Sequence, residues 1–372
     1  MSPITLLALS AALHLYIGAR LAPALPPPWG IALAVLVAVS ALLVPGGLLA
    51  RRLLRPPAAD RLTWAGMLAL GLFSTLLLLT VLRDLLLLAA GSWGPLPPGW
   101  VMRSAAATAL VALALTALGF FNARRTAPVR RVRIALQGLH PDLDGLRIVQ
   151  ISDIHVGPTI RQGYLQSIVD RVNALEPDVV AVTGDLVDGS VPELAPHVAP
   201  LAQLRARHGV YFVTGNHEYY AGVHAWVQEV RRLGLRVLHN EHVVLRRGAG
   251  TLVLAGVPDY SAHHFDASHR SDPALALQGA PAGATRILLA HQPRTAAAAA
   301  QAGFDLQISG HTHGGQIFPW SFFVPLQQPF TAGLHQLGRL QVYVSRGTGY
   351  WGPPKRLGAP SEISELRLSR EG

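Results

Sequence analysis

Five short polar motifs between residues 153 and 313 carry side chains that can bind metal ions. The seven candidate ligands are Asp153, His155, Asp185, Asn216, His291, His311 and His313. Because the chain contains no cysteine, a metal must be held by nitrogen and oxygen atoms. The set is too large for one tetrahedral zinc and suits two divalent ions of the Mn, Fe or Zn kind. Asp185 is the natural residue to bridge them.

Two neighbouring divalent ions predict a particular chemistry. Ions about 3.5 to 4 Å apart form a clamp for a phosphoryl group and activate a water molecule for attack on phosphorus. The motifs therefore predict hydrolysis of phosphate ester or pyrophosphate bonds by a hydroxide held between the ions. Monoesters, diesters and pyrophosphates all remain compatible with these residues.

Each motif follows a short apolar run typical of a buried β-strand. The predicted strands cover residues 146–152, 179–183, 210–214, 286–290, 306–309 and 340–345, and the predicted helices between the earlier ones cover residues 162–175 and 223–233. Residues 243–257 are typical of a hairpin. Alternation of strands and helices indicates an α/β domain, in which ligands gather at the carboxyl ends of the strands. We therefore expect the five motifs to converge.

Taken together, the motifs resemble those of the calcineurin-like metallophosphoesterase superfamily, over roughly residues 133–368, and the chain looks like a membrane-anchored bacterial member. The resemblance implies a four-layer sandwich of two mixed β-sheets flanked by helices. It also implies two metal sites that share one carboxylate. The first would be formed by Asp153, His155, Asp185 and His313, and the second by Asp185, Asn216, His291 and His311.

The same resemblance places His217 over the substrate, where it would protonate the leaving oxygen or stabilise charge on the phosphoryl group. We therefore take His217 and Asp185 as the catalytic residues. Asp188 and Glu218 are interpreted as groups that orient the ligands, and Asp259 is a weaker candidate for that role.

The first third of the chain predicts a membrane anchor. Apolar runs of spanning length cover residues 3–19, 30–50, 62–82 and 104–121. Four such runs in succession argue against core helices of a soluble protein, and the first lacks the basic start of a cleaved signal peptide. We therefore predict a bundle of about four transmembrane helices in residues 1–127 and a catalytic domain in residues 128–372.

The charge distribution suggests an orientation. Residues 1–127 contain nine arginines and two acidic residues, so most of the net charge of +10 lies in the anchor. Arginines concentrate between the second and third runs and after the fourth, which places both termini and the catalytic domain in the cytoplasm of a multi-pass inner-membrane protein. The small positive excess of residues 128–372 argues against a nucleic-acid partner.

Residues after the last motif suggest the substrate. Trp320 and Phe322 lie in an apolar loop, which either packs within the domain or contacts the phospholipid bilayer or an acyl-bearing substrate. Arg346 is a candidate phosphate contact. The substrate would then be a phosphorylated small molecule, a nucleotide or a lipid-linked phosphate. The alternative function is a catalytically silent membrane scaffold with a phosphoesterase-like ligand-binding domain.

The other histidines are interpreted as surface or core residues. They are His14, His140, His197, His208, His224, His239, His242, His263, His264, His269 and His335.

Overall fold

The computed structural model, which describes residues 2–371, divides the chain into two units. The first unit ends at Arg124 and also contains the segment Gly352–Leu357. The second unit contains Arg125–Trp351 and the chain from Gly358 onward. The sequence analysis divides the chain once, into residues 1–127 and 128–372, and so assigns Gly352–Leu357 to the catalytic domain and not to the helical unit.

Four apolar helices make up most of the first unit. They are α1 (Pro3–Leu21), α2 (Pro27–Leu53), α3 (Ala58–Gly91) and α4 (Trp100–Arg124). All four are long and apolar enough to cross a membrane, and each predicted apolar run falls inside one of them. Large apolar side chains on them are exposed, as the hydrocarbon of a bilayer requires; examples are Ile4, Leu15, Leu42, Leu86 and Leu88.

Charged side chains of the first unit pair with one another. Asp84 accepts hydrogen bonds from Tyr16 Oη at 2.8 Å and from Arg20 Nε at 2.6 Å. The buried Arg83 donates to Asp84 Oδ1 at 3.0 Å and to Ser104 Oγ at 3.0 Å. Such mutual pairing is what charged groups need in an apolar environment.

Lys355, the one lysine of the chain, is buried in the helical unit. Its Nζ donates to the carbonyl of Gly71 at 2.8 Å and to Thr116 Oγ1 at 3.0 Å, and it also contacts Thr75 Oγ1. A side chain at Gly119 would collide with the stem of Lys355, so the absence of a Cβ there makes room for it. Helices α3 and α4 therefore supply the partners that a buried ammonium group requires.

Two six-stranded mixed sheets form the centre of the second unit. The first sheet has the strand order β1 (Val129–Leu136), β12 (Ile363–Arg370), β2 (Arg147–Ile151), β3 (Val179–Val182), β4 (Val210–Phe212) and β5 (Arg236–Val237). The second has the order β10 (Gly333–Leu337), β11 (Leu340–Val344), β9 (Leu306–Ser309), β8 (Thr285–Leu289), β7 (Gly250–Gly256) and β6 (Glu241–Arg247).

Parallel pairing runs through the middle of each sheet. Strands β2, β3, β4 and β5 are parallel neighbours, as are β7, β8, β9 and β11. Their side chains are buried on both faces, which explains why these strands are continuous apolar runs in the sequence. The predicted hairpin is β6 and β7, which pair antiparallel.

Apolar side chains of the two sheets pack together into one core, which includes Ile148, Ala181, Leu254, Ile287 and Ile308. The remaining helices of the unit are α5 (Gln162–Asn173), α6 (Val191–Val198), α7 (Asn216–Ala221), α8 (Val223–Arg232), α9 (Pro273–Ala276) and α10 (Ala296–Ala302). A second core lies between the outer face of the β7–β11 sheet and helices α9 and α10. The four-layer sandwich predicted from the resemblance is confirmed.

Strand β1 contains three of the arginines that follow the fourth apolar run. Arg130, Arg131 and Arg133, which belong to the concentration of arginines after the fourth apolar run, lie on β1, which pairs in parallel with β12. Arg131 Nε donates to Glu365 Oε2 at 2.9 Å, and Arg133 Nε donates to Ser369 Oγ at 2.8 Å. Arg131 and Arg133 therefore bind the two strands at the edge of the sheet to each other, whereas Arg124 ends α4 and Arg125 follows it.

Candidate metal centre

All seven candidate ligands follow the carboxyl ends of parallel strands. Asp153 and His155 come after β2, Asp185 after β3 and Asn216 after β4, all in the first sheet. His291 follows β8, and the histidines of the last motif follow β9, in the second sheet. Because the two sheets pack face to face, the loops that leave these strand ends meet.

Unusual backbone geometry marks the ligands. Among the residues that the structure describes, eight residues other than glycine have a positive φ, and five of these are predicted ligands. They are Asp153 at 54°, His155 at 56°, Asp185 at 51°, His311 at 72° and His313 at 51°. Each such residue costs on the order of 1 to 3 kcal/mol, and strain of this kind concentrates at functional sites. The backbone of these five residues is therefore in an unfavourable conformation that directs their side chains inward.

The glycines that precede three ligands serve two purposes. Gly184 has a φ of 85° and allows the sharp turn before Asp185. Gly215 and Gly310 do not adopt the left-handed conformation and serve a different purpose. A Cβ at Gly215 would collide with the Asp185 side chain, and one at Gly310 with Ser152 and Asp153. These two positions need a small residue because the ligand loops approach each other closely.

The first group of side chains that could hold an ion contains Asp153, His155 and His313. Nε2 of His155 lies 3.0 Å from Nε2 of His313, and the latter lies 3.6 Å from Asp153 Oδ1. The edges of the two imidazoles thus face one point beside a carboxylate, as they would around a shared cation.

The second group contains Asp185, His291 and His311. Asp185 Oδ2 lies 3.2 Å from His291 Nε2, which lies 3.1 Å from His311 Nδ1. The same Oδ2 lies 3.9 Å from Nε2 of His155 in the first group. A single carboxylate oxygen therefore faces imidazoles of both groups, which is the position that a bridging ligand requires.

Asn216 tests whether a cation fits this centre. Its side chain is buried, and within residues 2–371 its Oδ1 has no hydrogen-bond partner. An amide oxygen buried without a partner costs about 1 to 3 kcal/mol, whereas a divalent ion would satisfy it. The donor set of carboxylates, imidazoles and one amide oxygen also suits divalent ions of the Mn, Fe or Zn kind. The residues present therefore fit a metal centre.

Hydrogen bonds from neighbouring groups fix the orientation of the ligands. Asp188 Oδ1 is hydrogen-bonded to His155 Nδ1 at 2.9 Å, and the carbonyl of Thr183 is hydrogen-bonded to His291 Nδ1 at 2.7 Å. In both rings Nε2 is then directed into the centre. Glu218 accepts hydrogen bonds from the backbone amides of Asp185 at 3.0 Å, Leu186 at 2.8 Å and Gly215 at 2.7 Å. It therefore joins two ligand loops.

His217 lies at the solvent side of the centre. Its Nδ1 is hydrogen-bonded to Asp188 Oδ1 at 2.7 Å, and its Nε2 lies 3.9 Å from Asp185 Oδ2. Its side chain is 16% exposed, so solvent and substrate can reach the ring. Asp188 thus orients both His155 and His217 with one carboxylate oxygen.

Burial and charge act against each other at these groups. Burial lowers the pKa of His217, but the hydrogen bond to Asp188 and the charges of Asp185, Asp188 and Glu218 raise it to about 9. Burial raises the pKa of Asp188, yet the charge of His155 and its hydrogen bonds to His155 and His217 hold it well below its ordinary value. Burial lowers the pKa of His311 to about 3 and keeps this imidazole neutral. A neutral imidazole is the form that binds a metal.

Two aromatic residues beside His217 were missed by the sequence analysis. The ring centroid of Tyr220 lies 5.2 Å from that of His217, and the centroid of Trp351 lies 6.0 Å from it. Gln316 holds Trp351 by donating to its carbonyl at 2.7 Å and by accepting from its amide at 2.9 Å. Tyr220 could have been found from its place three residues after His217 on α7.

The suggested substrate contacts have different surroundings. Arg346 lies against Gly314, next to His313, and pairs with Glu362 at 3.3 Å. The side chains of Trp320 and Phe322 are exposed by 56% and 70%, in a loop whose Ser321 abuts Gly315. Each of these rings contacts another ring of the loop, Phe322 with Phe318 at a centroid distance of 5.8 Å and Trp320 with Phe323 at 5.6 Å. Asp259, the weaker candidate for orienting the ligands, is buried. Its carboxylate accepts hydrogen bonds from Gln292 Nε2 at 3.0 Å and from Ser261 Oγ at 2.5 Å.

A substitution at Asp188 tests its double role. Asp188→Asn removes the charge that both imidazoles face, so we expect catalytic activity and metal affinity each to fall by about 10 to 100-fold, the usual effect of losing a group that orients metal ligands. The measurements are the steady-state rate and the Mn²⁺ concentration that gives half of the maximal rate. Asp170→Asn, on the exposed face of α5, is the matched control. If Asp188→Asn equals this control in both measurements, Asp188 does not orient the residues of the centre.

Comparison with known proteins agrees with this geometry. A family model for calcineurin-like phosphoesterases matches residues 146–315, which include all seven candidate ligands. The chain is 43% identical to a transmembrane protein with metallophosphoesterase domain from Bos taurus, over 70% of this chain and 61% of that protein. It is 33% identical to an uncharacterized metallophosphoesterase of Aquifex aeolicus, over 61% of this chain and 86% of that protein.

A further relative is matched almost throughout its own length. The chain is 30% identical to an uncharacterized metallophosphoesterase of Bacillus subtilis, over 70% of this chain and 93% of that protein. By contrast, the chain covers less than two thirds of the vertebrate relatives from Bos taurus and Danio rerio.

Proposed function

Because this chain belongs to the calcineurin-like phosphoesterase family, we propose that it is a membrane-anchored, dinuclear metal-dependent hydrolase of phosphate ester or pyrophosphate bonds. One observation carries the proposal. Asp185 Oδ2 lies 3.2 Å from His291 Nε2 and 3.9 Å from His155 Nε2, so a single carboxylate faces both groups of candidate ligands. A site for one ion has no need of this shared position.

The chain's own residues would perform the positioning steps. Two divalent ions, when bound, would polarise the phosphoryl oxygens and activate water. Asp153, His155, Asp185 and His313 would hold one ion, and Asp185, Asn216, His291 and His311 the other. His217, whose pKa is raised to about 9, carries a proton at neutral pH and would donate it to the leaving oxygen. Asp188 keeps that ring in place through its hydrogen bond to Nδ1.

The surroundings of His217 suggest where the leaving group lies. Tyr220 and Trp351, both largely exposed, flank the ring and form an aromatic entrance to it. Arg346, whose aliphatic stem lies against Gly314, is a candidate for binding a phosphate oxygen with its guanidinium. An apolar or aromatic group attached to the phosphate suits this entrance better than a highly charged one.

A metal-depletion experiment tests the proposed reaction. The detergent-purified chain is freed of metal with a chelator and then assayed with Mn²⁺ on an aryl monoester, an aryl diester and a pyrophosphate. We expect hydrolysis of at least one of them that disappears with the chelator and returns with Mn²⁺. Metal-independent hydrolysis, or none on any substrate, would contradict the proposal.

The membrane setting rests on the four apolar helices of the first unit. We propose that they anchor the chain in the inner membrane as a multi-pass protein with the phosphoesterase unit in the cytoplasm. This orientation is supported by two groups of arginines at helix ends. Arg51 and Arg52 in the last turn of α2, Arg55 after it and Arg61 near the start of α3 form one group, and Arg124 at the end of α4 and Arg125 form the other. Accessibility of a cysteine introduced into the cysteine-free chain at position 264 would test it, since His264 is exposed.

The exposed aromatic loop supports a substrate at the membrane surface. Phe318, Trp320, Phe322, Phe323 and Leu326 are each exposed by half or more. A group of exposed apolar side chains of this kind marks a contact surface, and amphipathic rings are favoured at the lipid interface. We propose that the loop contacts the bilayer or the acyl part of a lipid phosphate.

The double variant Trp320→Ser with Phe322→Ser separates substrate access from chemistry. We expect it to hydrolyse a soluble aryl phosphate like the wild type and to lose about tenfold or more of the rate on a lipid phosphate in vesicles, since two apolar anchors are removed from the interface. Leu334→Ser with Leu337→Ser is the matched control, because both leucines are exposed on β10. Equal losses on both substrates would refute a role in membrane access.

The alternative is a membrane scaffold that binds a phosphorylated ligand without turnover. A binding domain does not need a strained ligand set, nor a solvent-accessible imidazole whose pKa is raised by the carboxylates beside it, and both features favour the hydrolase. Metal-dependent release of many phosphates per chain would exclude the scaffold.

A further inference from the structure

A separate cluster of imidazole and carboxylate side chains lies outside the candidate metal centre. It contains His224, at the start of α8, together with Asp266 and His269. The sequence analysis had interpreted both histidines as ordinary surface or core residues. They are 45 positions apart in the sequence, and the fold brings them together with the carboxylate between them.

The distances between these side chains suit one cation. His224 Nε2 lies 3.2 Å from Asp266 Oδ2, and His269 Nε2 lies 3.9 Å from the same oxygen. One ligand atom from each of the three residues lies within 4.8 Å of the others. Ligand atoms bound at about 2.0 to 2.1 Å around a tetrahedral zinc are roughly 3.3 Å apart. Only a small side-chain movement therefore separates the observed arrangement from a coordinated one.

Neighbouring groups already orient two of the three side chains. Asp266 Oδ1 accepts hydrogen bonds from the amide of Ser268 at 2.9 Å and from its hydroxyl at 2.6 Å, so Oδ2 is directed at the histidines. Nδ1 of His269 is hydrogen-bonded to Tyr219 Oη at 2.9 Å, which leaves Nε2 directed at Asp266. Metal-binding histidines and carboxylates are commonly held in this way by a second hydrogen bond.

The local backbone places these three side chains at the protein surface. Gly222, with a φ of 98°, separates α7 from α8 and turns His224 towards a loop with two short 3-10 turns. Phe265 of that loop packs against Tyr219 and Tyr220, at ring-centroid distances of 5.8 Å and 5.5 Å. A surface cavity of about 340 Å³, lined in part by His224 and Asp266, opens beside the group. An ion and its water ligand can reach the site from solvent.

We propose that His224, Asp266 and His269 bind one divalent ion of the zinc type, in addition to the two ions of the catalytic centre. Two imidazoles and one carboxylate match the ligands of zinc sites that keep a fourth position for water. The two nitrogen ligands favour zinc over Mg²⁺ and Ca²⁺, which prefer oxygen.

The ion would cross-link two segments that lie next to part of the catalytic centre. It would join the start of α8 to the loop of residues 262–269. Tyr219 of α7 is hydrogen-bonded to His269 and would connect this cross-link to α7. Helix α7 begins with Asn216 and His217. An occupied site would therefore hold the orientation of α7 by restraining its C-terminal end.

Metal content measures this site without an activity assay. The detergent-purified wild type, His224→Ala, Asp266→Asn and the control His264→Ala are equilibrated with Zn²⁺, dialysed together and analysed by mass spectrometry of the metal. His264 is an exposed histidine of the same loop and lies outside the group. We expect His224→Ala and Asp266→Asn each to hold one ion per chain fewer than the wild type and His264→Ala.

The choice of variants protects the test against unfolding. The side chain of His224 is 72% exposed, so its truncation leaves the core intact. Asn at position 266 still accepts hydrogen bonds from Ser268. Equal metal content in all four proteins would overturn the proposal. If the chain hydrolysed no phosphate ester at all, the difference of one ion would still be measured, so this inference and the proposed function fail separately.

Discussion

Asp185→Asn is expected to lower phosphoester hydrolysis by more than about 100-fold, the upper end of the loss seen when a group that only orients a ligand is removed. Asp185 is buried, and its Oδ2 lies 3.2 Å from His291 Nε2 and 3.9 Å from Nε2 of both His155 and His217. Asparagine has the same shape but no charge. It leaves the imidazoles of both groups without the anion that they share.

The substitution is designed to preserve the fold. Asp185 Oδ1 accepts the backbone amide of His217 at 2.9 Å, and the amide oxygen of asparagine can accept the same bond. Steady-state hydrolysis and bound Mn²⁺ are measured beside thermal unfolding, with Asp170→Asn as the matched control. We expect less than the wild-type amount of metal together with the loss of rate. Full activity in a folded Asp185→Asn protein would show that no shared carboxylate is needed.

His217→Asn is expected to cost about 10² to 10⁴-fold in rate, the range of general acid catalysis. The side-chain amide of asparagine can still donate to Asp188, but no group remains where Nε2 faced the centre. The loss should depend on the leaving group. It should be largest for an alkyl phosphate, whose poor leaving oxygen needs a proton, and smallest for p-nitrophenyl phosphate.

Two measurements separate this role from a structural one. The metal content of His217→Asn should equal that of the wild type, because His217 lies beside the seven candidate ligands and is not one of them. His264→Asn is the matched control for loss of an exposed imidazole. An equal loss of rate on both leaving groups would contradict proton donation by His217.

Much of the centre could be predicted from the sequence because each ligand directly follows a buried strand. The strands β2, β3, β4, β8 and β9 are short apolar runs, and the carboxyl ends of parallel strands converge in any α/β sheet. The order of the motifs was enough to predict which side chains meet. The spacing did not predict why Gly215 and Gly310 are small, since that depends on contacts between loops far apart in the chain.

Other features depend on pairings that have no local pattern. Strand β12 contains Glu365 and Arg367, and their charges conceal a strand whose register is set by its neighbours β1 and β2. Tyr220 and Trp351 come from distant segments and meet only beside His217. The same holds for His224 and His269, which a loop of irregular turns brings to one carboxylate.

Arginines occur in two different settings in this chain, at the ends of the apolar helices and on the edge strand β1. Arginine is favoured both at the cytoplasmic ends of membrane helices and opposite carboxylates in a sheet, so composition alone does not separate the two. Arg131 pairs with Glu365 across β1 and β12, a contact that requires the C-terminal strand to lie beside a segment more than two hundred residues earlier. Lys355 likewise finds its partners on α3 and α4.

The number of phosphates released per chain tests the central claim most directly. The metal-depleted wild type is reloaded with Mn²⁺ and mixed with an excess of an aryl phosphate, beside Asp185→Asn under the same conditions. A dinuclear hydrolase will release many phosphates per chain, will stop when a chelator is added, and will lose this turnover in the Asp185→Asn variant. Binding of the substrate by the Mn²⁺-loaded wild type without release of phosphate would contradict the proposed hydrolase and leave the scaffold.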